Sequence, residues 1–399
     1  MPSAVLGFTP NLDKYLKSIK GQPVDQSVDS LVSLLKRHQV SGAEECAVAT
    51  AHCLLQLITR SKWHDVATLI SQVTRVGGRL SRARPDELVV ANIVRRVLGL
   101  IRDEAAEDRS EELCGAAVGR ENAAAAAADD DNGSSGNTPT TADDHARQMR
   151  ALRSEIIDGI EEIFDEISQV DDQVGASAEV HIRPGDYVVL HQPSTTVQRF
   201  VLRAAARRKF SVMIDTPVPT RQAGGGDPRG GSTGTGTTTD RYASFRRKLA
   251  ASGITLINIA GAGAMCYMPR VDKVILGASA ITATGGIVTD SGASVLARAA
   301  KVCGATVLVL AGIYKLSPID PSTEDDVIEW ANPSTYVDFA DADLVHGVTV
   351  RAAVKELVSH TSIDSYITNL GTHSREHLSG LIADHYKPQD TNIHLSAAS

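Results

Sequence analysis

The chain has 399 residues, 42% of them hydrophobic and 22% charged, with a formal net charge of −8. That length supports a sizeable core and two domains, while the acidic balance argues against nucleic acid as a direct partner. Five cysteines (Cys46, Cys53, Cys114, Cys266 and Cys303) form no CxxC pair, no basic-then-apolar signal segment opens the sequence, and no apolar run approaches the roughly 20 residues of a membrane helix. A soluble cytoplasmic protein without membrane contact is expected.

From Asn11 to about Ala106 the apolar residues fall at helical spacing, as in Val28, Leu31, Val32 and Leu35, then Val90, Val94, Val97 and Ile101. This predicts an N-terminal helical bundle over 1–114. Pro85 followed by Asp86-Glu87 reads as a helical first turn, because proline lacks only a donor that would be orphaned there. Between Arg75 and Arg102 lie Arg75, Arg79, Arg82, Arg84, Arg95, Arg96 and Arg102. Such a cluster is either a solvated helix face or a docking surface for an acidic or phosphorylated protein.

Residues 115–143 are of low complexity, with an alanine run, Asp129-Asp130-Asp131 and a Gly/Ser/Thr/Pro stretch, and read as a linker or insertion. Helical periodicity returns over 144–178, through Leu152, Ile156, Ile160 and Ile163, completing the first domain and leading into the second. An α/β domain is expected over 179–392. Its strands are predicted at Tyr187–Leu190, Ser211–Ile214, Thr255–Ile259, Val271–Gly277 and Thr306–Leu310, with a sixth at about Asp364–Ile367 and a helix at Val197–Arg208. The expected fold class is therefore α/β: a helical bundle followed by a doubly wound, mostly parallel Rossmann-like sheet. The insert at 221–240, with seven glycines between Ala223 and Thr239, reads as a mobile surface loop, and 393–399 as a tail.

The segment Pro269 to Pro318 carries most of the information. An apolar run ending at Gly277 suits a strand buried on both faces, Gly285-Gly286 breaks the chain, and Thr289-Asp290-Ser291-Gly292 supplies N-cap candidates for a helix from about Ala293 to Cys303. Thr306–Leu310 follows as the next strand, so the unit is β-turn-α-β. Its Gly277–Gly292 turn either caps the chain or holds a phosphate or carboxylate at a strand end.

The order of Val271–Gly277, Gly285-Gly286-Ile287, Ser291-Gly292, Leu296-Ala297 and Tyr314-Lys315-Leu316-Ser317-Pro318 resembles the regulatory (alpha, beta, delta) subunit family of translation initiation factor 2B. The Lys-Leu-Ser-Pro ending is most similar to the beta branch. Val94-Arg95-Arg96-Val97-Leu98, Ile367-Thr368-Asn369-Leu370-Gly371 and Tyr386-Lys387-Pro388-Gln389-Asp390 agree with it, and the resemblance spans roughly 12–110 and 143–392. It implies a non-catalytic regulatory subunit of the guanine-nucleotide exchange complex for initiation factor 2. The implied partners are the delta, alpha, gamma and epsilon subunits of factor 2B, and initiation factor 2 through its phosphorylated alpha subunit. Arg75, Arg79, Arg82, Arg84, Arg95 and Arg96 are the candidate docking residues.

The resemblance extends to sugar-phosphate isomerases such as methylthioribose-1-phosphate isomerase, which use a cysteine after the first strand and an aspartate beyond the strand matched by Val271–Leu276. Aligned by strand ends, those positions fall at Gln192 and Ser279. An amide does not titrate and a serine without a base is a poor acid, so no catalytic residue is assigned. A relic ligand pocket is expected around His191, Gln192, Gly277, Ser279, Thr289, Ser291 and Gly292. The alternative is a divergent isomerase, or a sugar-phosphate or nucleotide binder, using that pocket. No cofactor or metal is expected: Ala260-Gly261-Ala262-Gly263-Ala264 lacks the third glycine of a dinucleotide fingerprint, and His373, His377 and His385 read as surface histidines.

Overall fold

The computed structural model describes residues 10–126, 141–216, 242–260, 263–331 and 347–391. The chain divides into two compact units, one formed by Met1–Arg84, Val89–Ile167 and Ala383–Ser399, the other by Pro85–Leu88 and Ser168–Ile382.

The first unit is helical: α1 (Pro10–Ile19), α2 (Val24–Lys36), α3 (Ala43–Arg60), α4 (Val66–Ala83), α5 (Leu88–Ala126) and the start of α6 (Thr141–Ala176). Their apolar stripes converge on a core that includes Leu31, Leu35, Leu54, Ile58, Leu69, Val73, Val94, Val97 and Ile101, all buried. The Asp65 carboxylate accepts the Thr68 N–H at 3.0 Å and starts α4. Gly77 lets α4 approach α5, since a Cβ there would lie 2.3 Å from Val94 Cγ1. Val94 is β-branched and its χ1 is stiff in a helix, so it cannot swing aside. Gly77→Ala is therefore expected to cost about 1–3 kcal/mol through overpacking, read as a lower denaturant midpoint.

Two boundaries differ from expectation. Helix α5 begins at Leu88, after a turn at Pro85-Asp86. The Glu87 carboxylate, only 2% exposed, is drawn 3.0 Å from Lys355 Nζ, so the acid expected to meet the helix dipole serves a buried ion pair instead. Helix also runs into the expected linker from both sides, to Ala126 and from Thr141, leaving 127–140 outside the described residues. The insert at 221–240 and the 393–399 tail lie outside them as well.

The second unit contains β1 (Tyr187–His191), β2 (Ser211–Thr216), β3 (Thr255–Ala260), β4 (Lys273–Gly277), β5 (Ala280–Ile281), β6 (Ile287–Asp290), β7 (Thr306–Leu310), β8 (Lys355–Val358), β9 (Ser365–Thr368) and β10 (Gly371–His373). Helices α7 (Ala178–His181), α8 (Thr195–Ala205), α9 (Ala243–Ala251), α10 (Ala264–Tyr267), α11 (Ala293–Cys303) and α12 (Arg375–His385) accompany them, the last ending in the helical unit. The main sheet has the order β10-β9-β7-β4-β1-β2-β3, parallel except for the antiparallel edge strand β10. Strand order reverses at β1, so the sheet is doubly wound and its switch point lies between the carboxyl ends of β1 and β4. All six expected strands are present.

Strands β5, β6 and β8 form a second, antiparallel sheet that the sequence did not announce. The expected turn between Gly277 and Gly292 is largely the β5–β6 hairpin. The Tyr314–Pro318 motif anchors it: Lys315 Nζ donates to the Ala278 carbonyl at 3.0 Å, and the Ser317 N–H donates to the Ile281 carbonyl at 2.7 Å. Among the described residues no helix is long and apolar enough to cross a membrane.

Candidate functional site

The expected pocket residues do gather at the carboxyl edge of β1, β2 and β4. His191 ends β1 and stands in register with Asp215 on β2. Gln192 follows with a φ of 38°, a left-handed backbone that turns the chain toward α8. Gly277 ends β4, and a Cβ there would lie 2.7 Å from Ser194 Oγ, so glycine is needed for the N-terminus of α8 to sit against the strand. Thr289 Oγ1 donates to the Gly277 carbonyl at 2.7 Å, and the Ser279 N–H donates to the Val288 carbonyl at 2.8 Å.

His191 is tied on both sides. Its Nδ1 lies 2.9 Å from Asp215 Oδ2 and its Nε2 lies 2.9 Å from the Ser291 carbonyl oxygen. Both neighbours are acceptors, so both ring nitrogens must donate, which is the imidazolium form. Burial pulls the pKa of the ring down; the hydrogen bond and charge of Asp215, the Ser291 carbonyl and the charge of Asp290 outweigh it and hold the pKa above its ordinary value.

The N-terminus of α11, expected to face a ligand, is filled by this chain's own carboxylate. Glu356 Oε1, from β8, accepts the Gly292 N–H at 3.0 Å and the Ser294 N–H at 2.6 Å. Thr289 and Asp290 belong to β6, and the helix N-cap is Gly292 at a φ of 103°, with no side-chain cap of its own. Here the expected N-cap run is corrected, because strand pairing with β8 claims its first two residues. Glu356→Ala is expected to lower stability by about 1 kcal/mol through loss of the cap, while Glu356→Gln retains most of it; thermal unfolding of the two variants checks this.

The arginine cluster is not one surface. Arg84 is 2% exposed and its Nη1 donates to the Val40 carbonyl at 3.0 Å. Arg95 is 1% exposed and donates from Nε to the Thr391 carbonyl at 3.3 Å. Burial lowers its pKa to about 10 against the opposing charges of Tyr386 and Asp390. Arg96 makes a two-pronged pair with Glu166 at 3.1 and 2.6 Å, and Arg102 pairs with Asp390 at 3.0 Å. Docking roles for Arg84, Arg95 and Arg96 are therefore corrected: these side chains hold the helical unit together. Arg95 and Arg102 bind the segment Tyr386–Thr391 onto α5, with Lys387 pairing with Asp103 at 2.7 Å, which is why those residues belong with the helices rather than the sheet. Arg75, Arg79 and Arg82 remain exposed on α4, Arg79 pairing with Asp29 and Arg82 donating to the Gly78 carbonyl.

Elsewhere, His373 is half-buried with Nε2 3.0 Å from Thr368 Oγ1, and burial, then His377, lowers its pKa. Two important residues, Asp215 and Glu356, escaped sequence reasoning. Asp215 was within reach, as a carboxylate at the end of the strand beside β1. Glu356 was not, because its short strand has no readable alternation.

Fold and site together define a class: an α/β protein of two units in which a histidine and two carboxylates of the chain itself are hydrogen-bonded at the strand ends, the ligand position of such sheets. The chain belongs to the Initiation factor 2 subunit family, whose family model matches residues 39–224 and 244–374. It is 29% identical to translation initiation factor eIF2B subunit beta of Schizosaccharomyces pombe, covering 92% of this chain and 97% of that one. The crystal structure of eIF2B beta from Chaetomium thermophilum superposes with a TM-score of 0.70 at 38% identity, covering 96% of this chain and 97% of that one. A chain of the tetrameric eIF2B-beta2-delta2 complex from C. thermophilum gives 0.68 at 39%, over 94% and 99%. Ribose 1,5-bisphosphate isomerase of Pyrococcus furiosus is more distant, 22% identical over 79% of this chain and 81% of that one.

Proposed function

We propose that this chain is a non-catalytic regulatory subunit of the guanine-nucleotide exchange complex for translation initiation factor 2, working in the cytoplasm. The observation that carries the proposal is the near full-length similarity, at 39% identity, to a chain of the beta2-delta2 tetramer. In this reading the α/β unit pairs with a related regulatory subunit, chiefly delta, burying an apolar face as obligate assemblies do. The alpha subunit and the catalytic gamma and epsilon subunits complete the complex. The helical unit helps sense the phosphorylated alpha subunit of initiation factor 2. Arg75, Arg79 and Arg82, at i, i+4 and i+7 on one face of α4, are the cluster members placed to meet a phosphorylated or acidic partner.

The geometry at the relic pocket supports a non-catalytic role. Gln192 and Ser279 stand at the carboxyl ends of β1 and β4, where the resemblance to isomerases places a cysteine and an aspartate, and neither supplies a thiol or a carboxylate. His191 and Glu356 nearby are engaged in hydrogen bonds within the chain, to Asp215 and the Ser291 carbonyl and to the Gly292 and Ser294 N–H groups. Affinity purification of the tagged chain from its native cells, washed in salt, tests the proposal. Recovery of the other exchange-factor subunits is expected; an isolated homo-oligomer would overturn it.

A further inference from the structure

Helix α8, its exit turn and helix α9 carry an unbalanced charge pattern. From Thr195 to Ile214 the sequence holds Arg199, Arg203, Arg207, Arg208 and Lys209 and no acid; from Tyr242 to Ile254 it holds Arg246, Arg247 and Lys248, again with no acid. The two helices contact one another in the α/β unit. Their apolar residues, among them Phe200, Val201, Phe245 and Leu249, are buried, which leaves Arg203, Arg207, Lys209, Arg247 and Lys248 exposed.

Part of this charge is answered internally. Arg199 pairs with Asp171 at 3.2 Å and Arg207 with Glu179 at 3.1 Å, Arg208 donates to the Ile182 carbonyl at 2.8 Å, and Lys209 donates to the Ser252 carbonyl. Arg203, Arg247 and Lys248 have no ion pair among the described residues. A face that serves solubility alone intersperses both signs. Here one sign is segregated on two adjacent helices of a chain whose net charge is −8.

We propose that the α8–α9 face docks a short acidic segment, rich in Asp and Glu, of a partner protein. Charge complementarity selects a polyanion, and two observations select a peptide over a nucleic acid. The aromatic residues of these elements, Phe200, Phe210, Tyr242 and Phe245, are all buried, so no ring is offered for a base to stack on. A long polyanion running off the patch would also meet the negative field of the whole chain. The 11-residue helix α8 is about 16 Å long, a footprint suited to a short extended segment.

The test titrates the full-length protein with a fluorescein-labelled peptide of about ten alternating Glu and Asp residues, read by anisotropy at about 50 mM and about 300 mM salt. Arg203→Glu/Arg247→Glu/Lys248→Glu should weaken binding at least about ten-fold and flatten its salt dependence. All three side chains are exposed, so the unfolding temperature should stay unchanged; should the triple variant misfold, Arg247→Glu alone is expected to weaken binding measurably. Equal affinity of wild type and variant would overturn the proposal, as would tighter wild-type binding of a single-stranded oligoribonucleotide of the same length.

Discussion

Replacing Arg95 and Arg96 by glutamate is expected to unfold the helical unit rather than to cut a docking contact. Arg95 is 1% exposed and bonded to the Thr391 carbonyl, and Arg96 is locked to Glu166. Reversal at position 96 sets two carboxylates against each other, and reversal at 95 buries an anion near the Asp390 carboxylate, whose charge favours a cation. Breaking buried charge pairs in this way costs about 3–5 kcal/mol. Circular dichroism melting of the double variant should show the helical signal lost well below the wild-type transition. Arg75→Glu/Arg79→Glu/Arg82→Glu, on the exposed face of α4, should melt within a few degrees of wild type, since exposed pairs such as Arg79 with Asp29 contribute only about 0–1 kcal/mol. Only the α4 variant then tests the proposed contact with the phosphorylated factor without disturbing the fold.

The second large effect is expected at His191. Removing its ring with His191→Ala breaks a buried pair with Asp215 and frees the Ser291 carbonyl, at a cost of about 3 kcal/mol. The wild-type contribution depends on pH with a definite sign. The folded state raises the pKa of His191 above the ordinary value of about 6.5, so it favours the protonated ring. The stabilisation is fully present below about pH 6.5 and is lost as pH rises through the folded-state pKa. Unfolding midpoints measured across this window should fall with rising pH in the wild type, whereas His191→Ala should show a flatter profile. Asp215→Asn, which keeps an acceptor but removes the charge, should lower the His191 pKa seen by NMR titration of the ring protons.

Elements with strong local patterns were readable from the sequence. β1, β2, β3, β7 and α11 match their expected spans closely because each is a β-branched run, or an alanine-rich helix, between clear breakers. The β5–β6–β8 sheet was not readable: β5 has two residues and β8 pairs with a strand 65 positions upstream of it, so no local periodicity records the pairing. The same reason hid Glu356. The arginines between 75 and 102 show a different limit. Sequence spacing gives the charge on each residue, and the fold decides whether a backbone carbonyl, a glutamate or water answers it. Arg84 and Arg95 found carbonyls 44 and 296 residues away. That the residues expected to form a pocket lie at or near strand ends was legible, but the carboxylates bonded to them, Asp215 and Glu356, come from β2 and β8.

The most direct measurement is the rate of GDP release from initiation factor 2 by an exchange complex reconstituted with and without this chain, using phosphorylated and unphosphorylated factor. The chain alone should accelerate no release, and the complete complex should be slowed by the phosphorylated factor in a manner that requires this chain. Exchange by the isolated chain, or identical inhibition in its absence, would contradict the regulatory role.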